Sequence, residues 1–257
     1  MAKDTDKEQS VIQHLEELRR ALIISIAAIV IMSAACYGFS DQVLEVILKP
    51  VTSQGHELVF IHVAEAFMTK IKLALFLGFL AALPIVLWQV WAFIKPALHK
   101  HERKYFIAFL FSSVFLFYAG ITFCFFGVYQ WGVRFLLQFA GSQLLPMLTI
   151  GNYVSFTIGI LLPVGFVFEL PLAAYFLSKM GIVSYALLAR MRKYAFFVSI
   201  ILGAALTPTD ILTCLLMAGP LYLLYEFSVF IARMVERGKT KKAREEEAAE
   251  KMAENVV

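Results

Sequence analysis

Long uncharged apolar runs constrain this chain more than any other feature. Ala21 to Phe39 contains no Asp, Glu, Lys or Arg, and comparable runs with rare charges cover about residues 71–91, 106–128 and 152–178. A run of roughly 18 or more apolar residues can cross the hydrocarbon core of a bilayer as a helix. The composition agrees: 60% of the 257 residues are hydrophobic and 16% are charged. Mean hydropathy is +0.76, and soluble domains are nearer about a quarter charged. The chain therefore reads as an all-α polytopic membrane protein. Its 23 Lys and Arg are spread over loops rather than gathered on one face, so no nucleic-acid partner is expected.

The N-terminal MAKDTDKEQS is polar and mixed in charge, unlike a signal or transit peptide. From Ser10, the spacing of Val11, Leu15, Leu18 and Leu22 predicts an amphipathic helix feeding the first span, Ala21 to Phe39. Val43, Leu44, Ile47 and Leu48 predict a short amphipathic helix ending before Pro50, and Leu58 to Val63 reads as extended or surface-lying. The second span, Ile71 to Trp91, carries Pro84 as a kink. Lys70 and Lys72 at its mouth can snorkel. Phe106 to Val128 is the third span, and Asn152 to Ser178 the fourth, with Pro163, Glu169 and Pro171 inside it. Between them Phe135, Leu136 and Phe139 share a helical face that Pro146 ends. Lys179 to Lys193 reads as a loop, Tyr194 to Leu206 as a fifth span, Thr207 to Asp210 as a turn and Ile211 to about Ile231 as a sixth span. From Arg233 the charged tail reads as a frayed or disordered helix. The expected organisation is an N-terminal segment (1–20), a six-span membrane domain (21–232) and a tail (233–257).

The cations set an orientation. Nineteen of the 23 fall on the N-terminal segment, the loop after the second span, the 179–193 loop and the tail. Only Lys49, Lys70, Lys72 and Arg134 fall on the opposite side, which puts both termini in the cytoplasm. No internal repeat is visible, which weakens an inverted-repeat carrier. The last two spans are short. The thirteen residues from Tyr194 to Leu206 reach roughly 20 Å, against about 30 Å of hydrocarbon. Either the bilayer thins beside this pair or protein screens it from lipid.

No nucleotide-binding, metalloprotease or serine-hydrolase motif occurs, and no cofactor is implied. Cys36, Cys124 and Cys214 lack CxxC spacing and read as small packed residues. His14 and Glu17, three apart, read as a helix-surface contact rather than a metal site. Glu169 is the sharpest single residue. It lies ten positions before Lys179, about 15 Å into the membrane, and an intramembrane carboxylate is a functional candidate by default. Pro171 frees backbone groups beside it. Glu226 is shallower, and Gln89 lies near the inner end of the second span; for both, a structural and a functional role weigh equally. The loop WAFIKPALHKHERKY, Trp91 to Tyr105, holds four cations and one acid, Glu102. Glu17 and Glu102 are each most simply solvated partners of nearby cations. Together they offer two carboxylates suited to bidentate, charge-assisted contact with guanidinium groups.

Four motifs in order, HLEELRR (His14 to Arg20), FIKPALHKHERK (Phe93 to Lys104), FELP (Phe168 to Pro171) and LTPTD (Leu206 to Asp210), resemble those of the TatC family. The resemblance spans essentially the whole chain except the tail. It implies a six-span, cup-shaped bacterial inner-membrane protein with both ends in the cytoplasm. Such proteins receive folded precursors carrying twin-arginine signal peptides and act with TatA- and TatB-type single-span subunits, as homo-oligomers in the receptor complex, driven by the protonmotive force. By motif, the resemblance assigns Glu17 and Glu102 to the signal's paired arginines. It groups His14, Leu18 and Arg19, and Phe93, Pro96, Leu98, Lys100 and Arg103, around them. It assigns Glu169, with Gln89, to the concave interior, Asp210 to the short outer turn, and Pro50 to a position after the first outer helix. The rival class is a proton-coupled solute carrier using Glu169, which leaves the acids on the inner loops unexplained. An intramembrane enzyme lacks any nucleophile, base or metal set.

Overall fold

The structure, a computed structural model, describes residues 2–94, 106–139, 147–206 and 211–254. It is a helical assembly in which the apolar runs become long helices. Five of these are long and apolar enough to cross a membrane: within His14–Thr52, Val63–Phe93, Ile107–Gln138, Ile150–Lys179 and Thr213–Thr240.

The first helix, α1 (Ala2–Cys36), begins before Ser10 and runs unbroken through the N-terminal segment into the membrane. A 3-10 turn, Tyr37–Phe39, joins it to α2 (Ser40–Thr52). Pro50 lies in the last turn of α2 rather than beyond its end. A proline there forfeits one N–H bond to the turn before it, so the helix ends two residues later. The extended reading of Leu58 to Val63 holds for Leu58–Val59 (β1), which pairs in parallel with Leu148–Thr149 (β2). Next comes α3 (Val63–Ile94), which stays helical through Pro84. Helix α1 packs along α3 and approaches closely at Gly78, where an added Cβ would strike Ser33.

After α4 (Phe106–Phe123) a π-helical stretch, Cys124–Tyr129, leads into α5 (Gln130–Phe139). The fourth span is two helices, α6 (Ile150–Phe168) and α7 (Leu170–Lys179). The break falls on Glu169, whose N–H reaches back only three residues, to Phe166 O at 3.1 Å. Pro171 has no N–H to continue the ladder, which is the physical reason for the interruption.

The fifth helix, α8 (Tyr185–Leu206), starts nine residues earlier than expected, so most of the 179–193 loop is helical. One of the cations there is paired in place. Arg192 grips Glu226 with two hydrogen bonds, from Nε at 3.0 Å and Nη2 at 2.5 Å. Tyr225 donates to Leu188 O at 2.7 Å. Helix α9 (Ile211–Glu254) runs on through the tail, which is helical rather than frayed over the residues described. It packs against both α8 and α7. Pro146 and the 207–210 turn lie outside the described residues.

Two buried clusters result. The larger joins α2, α3, the π-helical stretch, α6 and α9 at the cation-poor end, through residues such as Val51, Leu73, Tyr129, Val154 and Leu221. The smaller is three rings at the cation-rich end, Trp91, Phe109 and Phe176.

Candidate functional site

At the cation-rich end the structure brings two of the sequence motifs together. Phe93, near the end of α3, stacks on His14 of α1, with centroids 4.1 Å apart and planes 15° apart. Because α1 continues as one rigid helix below the membrane, His14 is carried to the point where α3 emerges. Glu17 lies one turn on, with its side chain 58% exposed and His14 Nδ1 3.5 Å away. Among the described residues, no lysine or arginine pairs with it. Glu17 borders a cavity of about 700 Å3 together with Glu16, Arg19, Arg20, Ile23 and Ile24. Both signs of charge therefore face one opening beside an apolar wall. Leu18 is exposed on the same helix. Glu102, Pro96, Leu98, Lys100 and Arg103 lie outside the described residues, as does Asp210.

The second polar centre is inside the membrane. Glu169 sits at the α6–α7 break, half-buried. Its Oε2 accepts a hydrogen bond from Ser113 Oγ at 2.7 Å, and Ser113 in turn accepts from Trp91 Nε1 at 3.0 Å. Oε1 is buried and has no hydrogen-bond partner among the described residues. Trp91 is fixed by stacking on Phe109 and by an edge contact with Phe176, at 5.7 and 4.9 Å. The chain Trp91–Ser113–Glu169 thus holds one carboxyl oxygen and leaves the other to accept or donate a bond. Gln89 is half-buried on α3 but is not bonded to Glu169. Glu226 is the partner of Arg192, which ties α8 to α9.

Sequence reasoning missed Ser113 and Trp91 as a pair with Glu169. Depth was the available signal. Ser113 lies seven residues after Phe106, about 10 Å in, against about 15 Å for Glu169. Two serines in the Phe-rich FLFSSVFLFY already marked α4 as the helix able to satisfy the acid.

The family model described as Sec-independent protein translocase protein (TatC) matches residues 13–220. The chain belongs to the TatC family. The TatC protein of Carboxydothermus hydrogenoformans is 50% identical over 232 residues, covering 90% of this chain and 96% of that relative. That of Aquifex aeolicus is 38% identical over 231 residues, covering 88% and 96%. A crystal structure of the twin-arginine translocase receptor TatC superposes with a TM-score of 0.80 at 37% identity. It covers 87% of this chain and 99% of that one. The expected all-α membrane architecture is therefore borne out, and the chain is an integral membrane subunit of a bacterial protein translocase. The solute-carrier reading has no support among these TatC relatives, whose family is a translocase component.

Proposed function

We propose that this chain is the receptor subunit that binds twin-arginine signal peptides, with six spans and both termini in the cytoplasm. The observation that carries the reading is the His14–Phe93 stack, which puts the HLEELRR and FIKP motifs side by side with Glu17 exposed next to them. A carboxylate at this rim suits a guanidinium because the contact is bidentate and charge-assisted. Glu17 and Glu102 take the two arginines of the signal. His14, Leu18, Arg19, Phe93, Pro96, Leu98, Lys100 and Arg103 shape the seat. The apolar part of the signal then moves along the membrane face past Glu169. There the second carboxyl oxygen offers a hydrogen-bond or transient charge site to single-span TatA- and TatB-type subunits. Gln89 and Asp210 serve this later step, and Pro50 shapes the outer helix. The protonmotive force drives transport, no cofactor takes part, and copies of the chain associate within the receptor complex.

The test is site-specific photocrosslinking from positions 17 and 102 to a precursor carrying either Arg-Arg or Lys-Lys. Strong crosslinks to the Arg-Arg precursor and weak ones to the Lys-Lys precursor are expected. Equal labelling of both overturns the assignment.

A further inference from the structure

A groove on a different face of the molecule from Glu17 runs between α4, α7 and α9. It encloses about 760 Å3, within the roughly 300–1,000 Å3 of ligand sites. Ala108 and Leu116 mark its two ends on α4, Lys179 and Pro171 on α7, and Val235 and Phe227 on α9. On each helix those ends are eight residues apart, about 12 Å. Half of the hydrocarbon core is about 15 Å, so the groove is one leaflet deep. Ala108, Lys179 and Val235 put one end of it at the cation-rich end of all three helices. A spanning helix would need a groove along the whole core of about 30 Å; this one closes at mid-membrane.

The walls are mainly apolar, with Ser112 and Tyr175 part-way along and Lys179 at the cation-rich end. There the Lys179 ammonium lies 5.7 Å from the centre of the Tyr175 ring. One turn beyond Val235, Lys239 Nζ donates to Ser178 O at 3.1 Å, which brings a second ammonium to the same turn of α7. Arg233 lies over the Tyr185 ring at 5.5 Å. The acid on this stretch of α9, Glu236, accepts the Tyr185 N–H at 3.0 Å. Lys179 in the lining and Lys239 bonded to the same turn of α7 set two ammonium groups at the end of a mainly apolar slot, which suits an anionic headgroup above an acyl chain.

We propose that this groove holds an anionic phospholipid of the leaflet at the cation-rich end, one acyl chain in the slot and its phosphate against Lys179 and Lys239. The lipid fills the space between α4 and α9 below Glu169 and fixes their separation. The test uses the full chain in nanodiscs of equal phosphatidylglycerol and phosphatidylcholine, then extraction in mild detergent and native mass spectrometry of the lipid retained. Phosphatidylglycerol should be retained severalfold over phosphatidylcholine. Lys179→Gln with Lys239→Gln should bring the ratio close to one, and Lys→Arg at both should keep it. Ala108→Trp, which fills the slot, should remove both lipids. If that variant does not fold, the paired Gln substitutions decide alone, since both lysines are at the surface. Equal retention of the two lipids by the unaltered chain overturns the site, as does an unchanged ratio in the Gln pair. A Ser112→Cys crosslink to a partner's single-span helix in the assembled complex, with no lipid retained, assigns the groove to that helix instead and also overturns it.

Discussion

The two ends of this molecule are built differently. At the cation-poor end, segments far apart in sequence are tied together. Glu65 accepts the N–H of Gly151 at 2.9 Å and of Ile61 at 3.0 Å. In this way α3 caps the start of α6, where a side chain on Gly151 would strike the Glu65 carboxylate. The β1–β2 pair lies beside this cap. Lys70 pairs with Asp41 at 2.7 Å, Lys72 donates to Ser155 at 2.9 Å, and Tyr129 and Thr157 share a buried hydroxyl bond. At the cation-rich end, α7, α8 and α9 are tied by Arg192–Glu226, Lys239–Ser178 O and Tyr225–Leu188 O, whereas where α1 meets α3 the described residues offer one ring stack and an exposed acid, with the three-ring cluster near by. Sites that take a mobile ligand are drawn from the less stable parts of a fold. On the proposed function, the closed cation-poor end serves as the frame for a cation-rich rim that opens to receive a peptide.

The largest effect that tests this contrast is at the rim. Glu102→Ala combined with Glu17→Ala should reduce crosslinking to a twin-arginine signal by about tenfold or more, since a hydrogen bond to a charged group contributes about 1.5–3 kcal/mol. Glu102→Ala alone should cost more than Glu17→Ala. Melting of the helices on heating should be unchanged, because neither acid belongs to the frame. A lowered melting temperature with normal crosslinking would show the rim to be scaffold and reverse the comparison.

Next in size is the mid-membrane acid. Glu169→Ala should leave precursor binding intact and cut export severalfold. Ser113→Ala should give a smaller loss of export in the same direction, because Glu169 then loses the donor that orients Oε2. Ser113→Thr, which keeps the hydroxyl, should restore it. Equal loss of binding and export in Glu169→Ala would make the acid a structural element of the inner end.

How far sequence carried the account follows the same division. The spans were legible because an apolar run of membrane length has few alternatives. Pro171 marked the freed backbone beside Glu169, though not the division of the fourth span into two helices, and the rim acids rest on the resemblance of their motifs. The cap by Glu65 was not legible, because its partners are backbone N–H groups 4 and 86 residues away. A carboxylate that binds backbone leaves no complementary residue type in the sequence. The early start of α8 was missed for a related reason. Arg190, Arg192 and Lys193 read as a solvated loop until Glu226, 34 residues on from Arg192, is seen to neutralise one of them. The helical tail was missed because its charge composition resembles that of a disordered segment, whereas α9 enters it already nucleated, so each further residue costs little.

A smaller, local effect should follow from Glu65→Gln. The amide keeps one acceptor oxygen, so one of the two backbone N–H groups it now serves loses its partner. Faster hydrogen exchange is expected at Gly151 and Ile61, with signal binding unchanged. Uniformly faster exchange across the outer end would mean that this one carboxylate holds the frame together. No change at either amide would mean that the β1–β2 pair and the buried cluster suffice without it.

The smallest expected effect discriminates most sharply, because it reports what surrounds α8. Arg192 and Glu226 are each 41% exposed in the folded chain, and the apolar part of α8 is too short for an undeformed bilayer. If the membrane thins there, headgroups and water reach the pair, and a double-mutant cycle with Arg192→Gln and Glu226→Gln should give a coupling of about 1 kcal/mol or less. If hydrocarbon closes over it instead, removing either partner leaves an uncompensated charge, and each single substitution should cost about 3–5 kcal/mol while the double costs far less. The thinned-bilayer value is the one expected, because Arg190, Arg192 and Lys193 interrupt α8 and leave only Tyr194 to Leu206 as an uncharged stretch. A coupling near the upper range, measured by unfolding in bicelles of ordinary thickness, would show that α8 and α9 are screened by protein and that the bilayer beside them is flat.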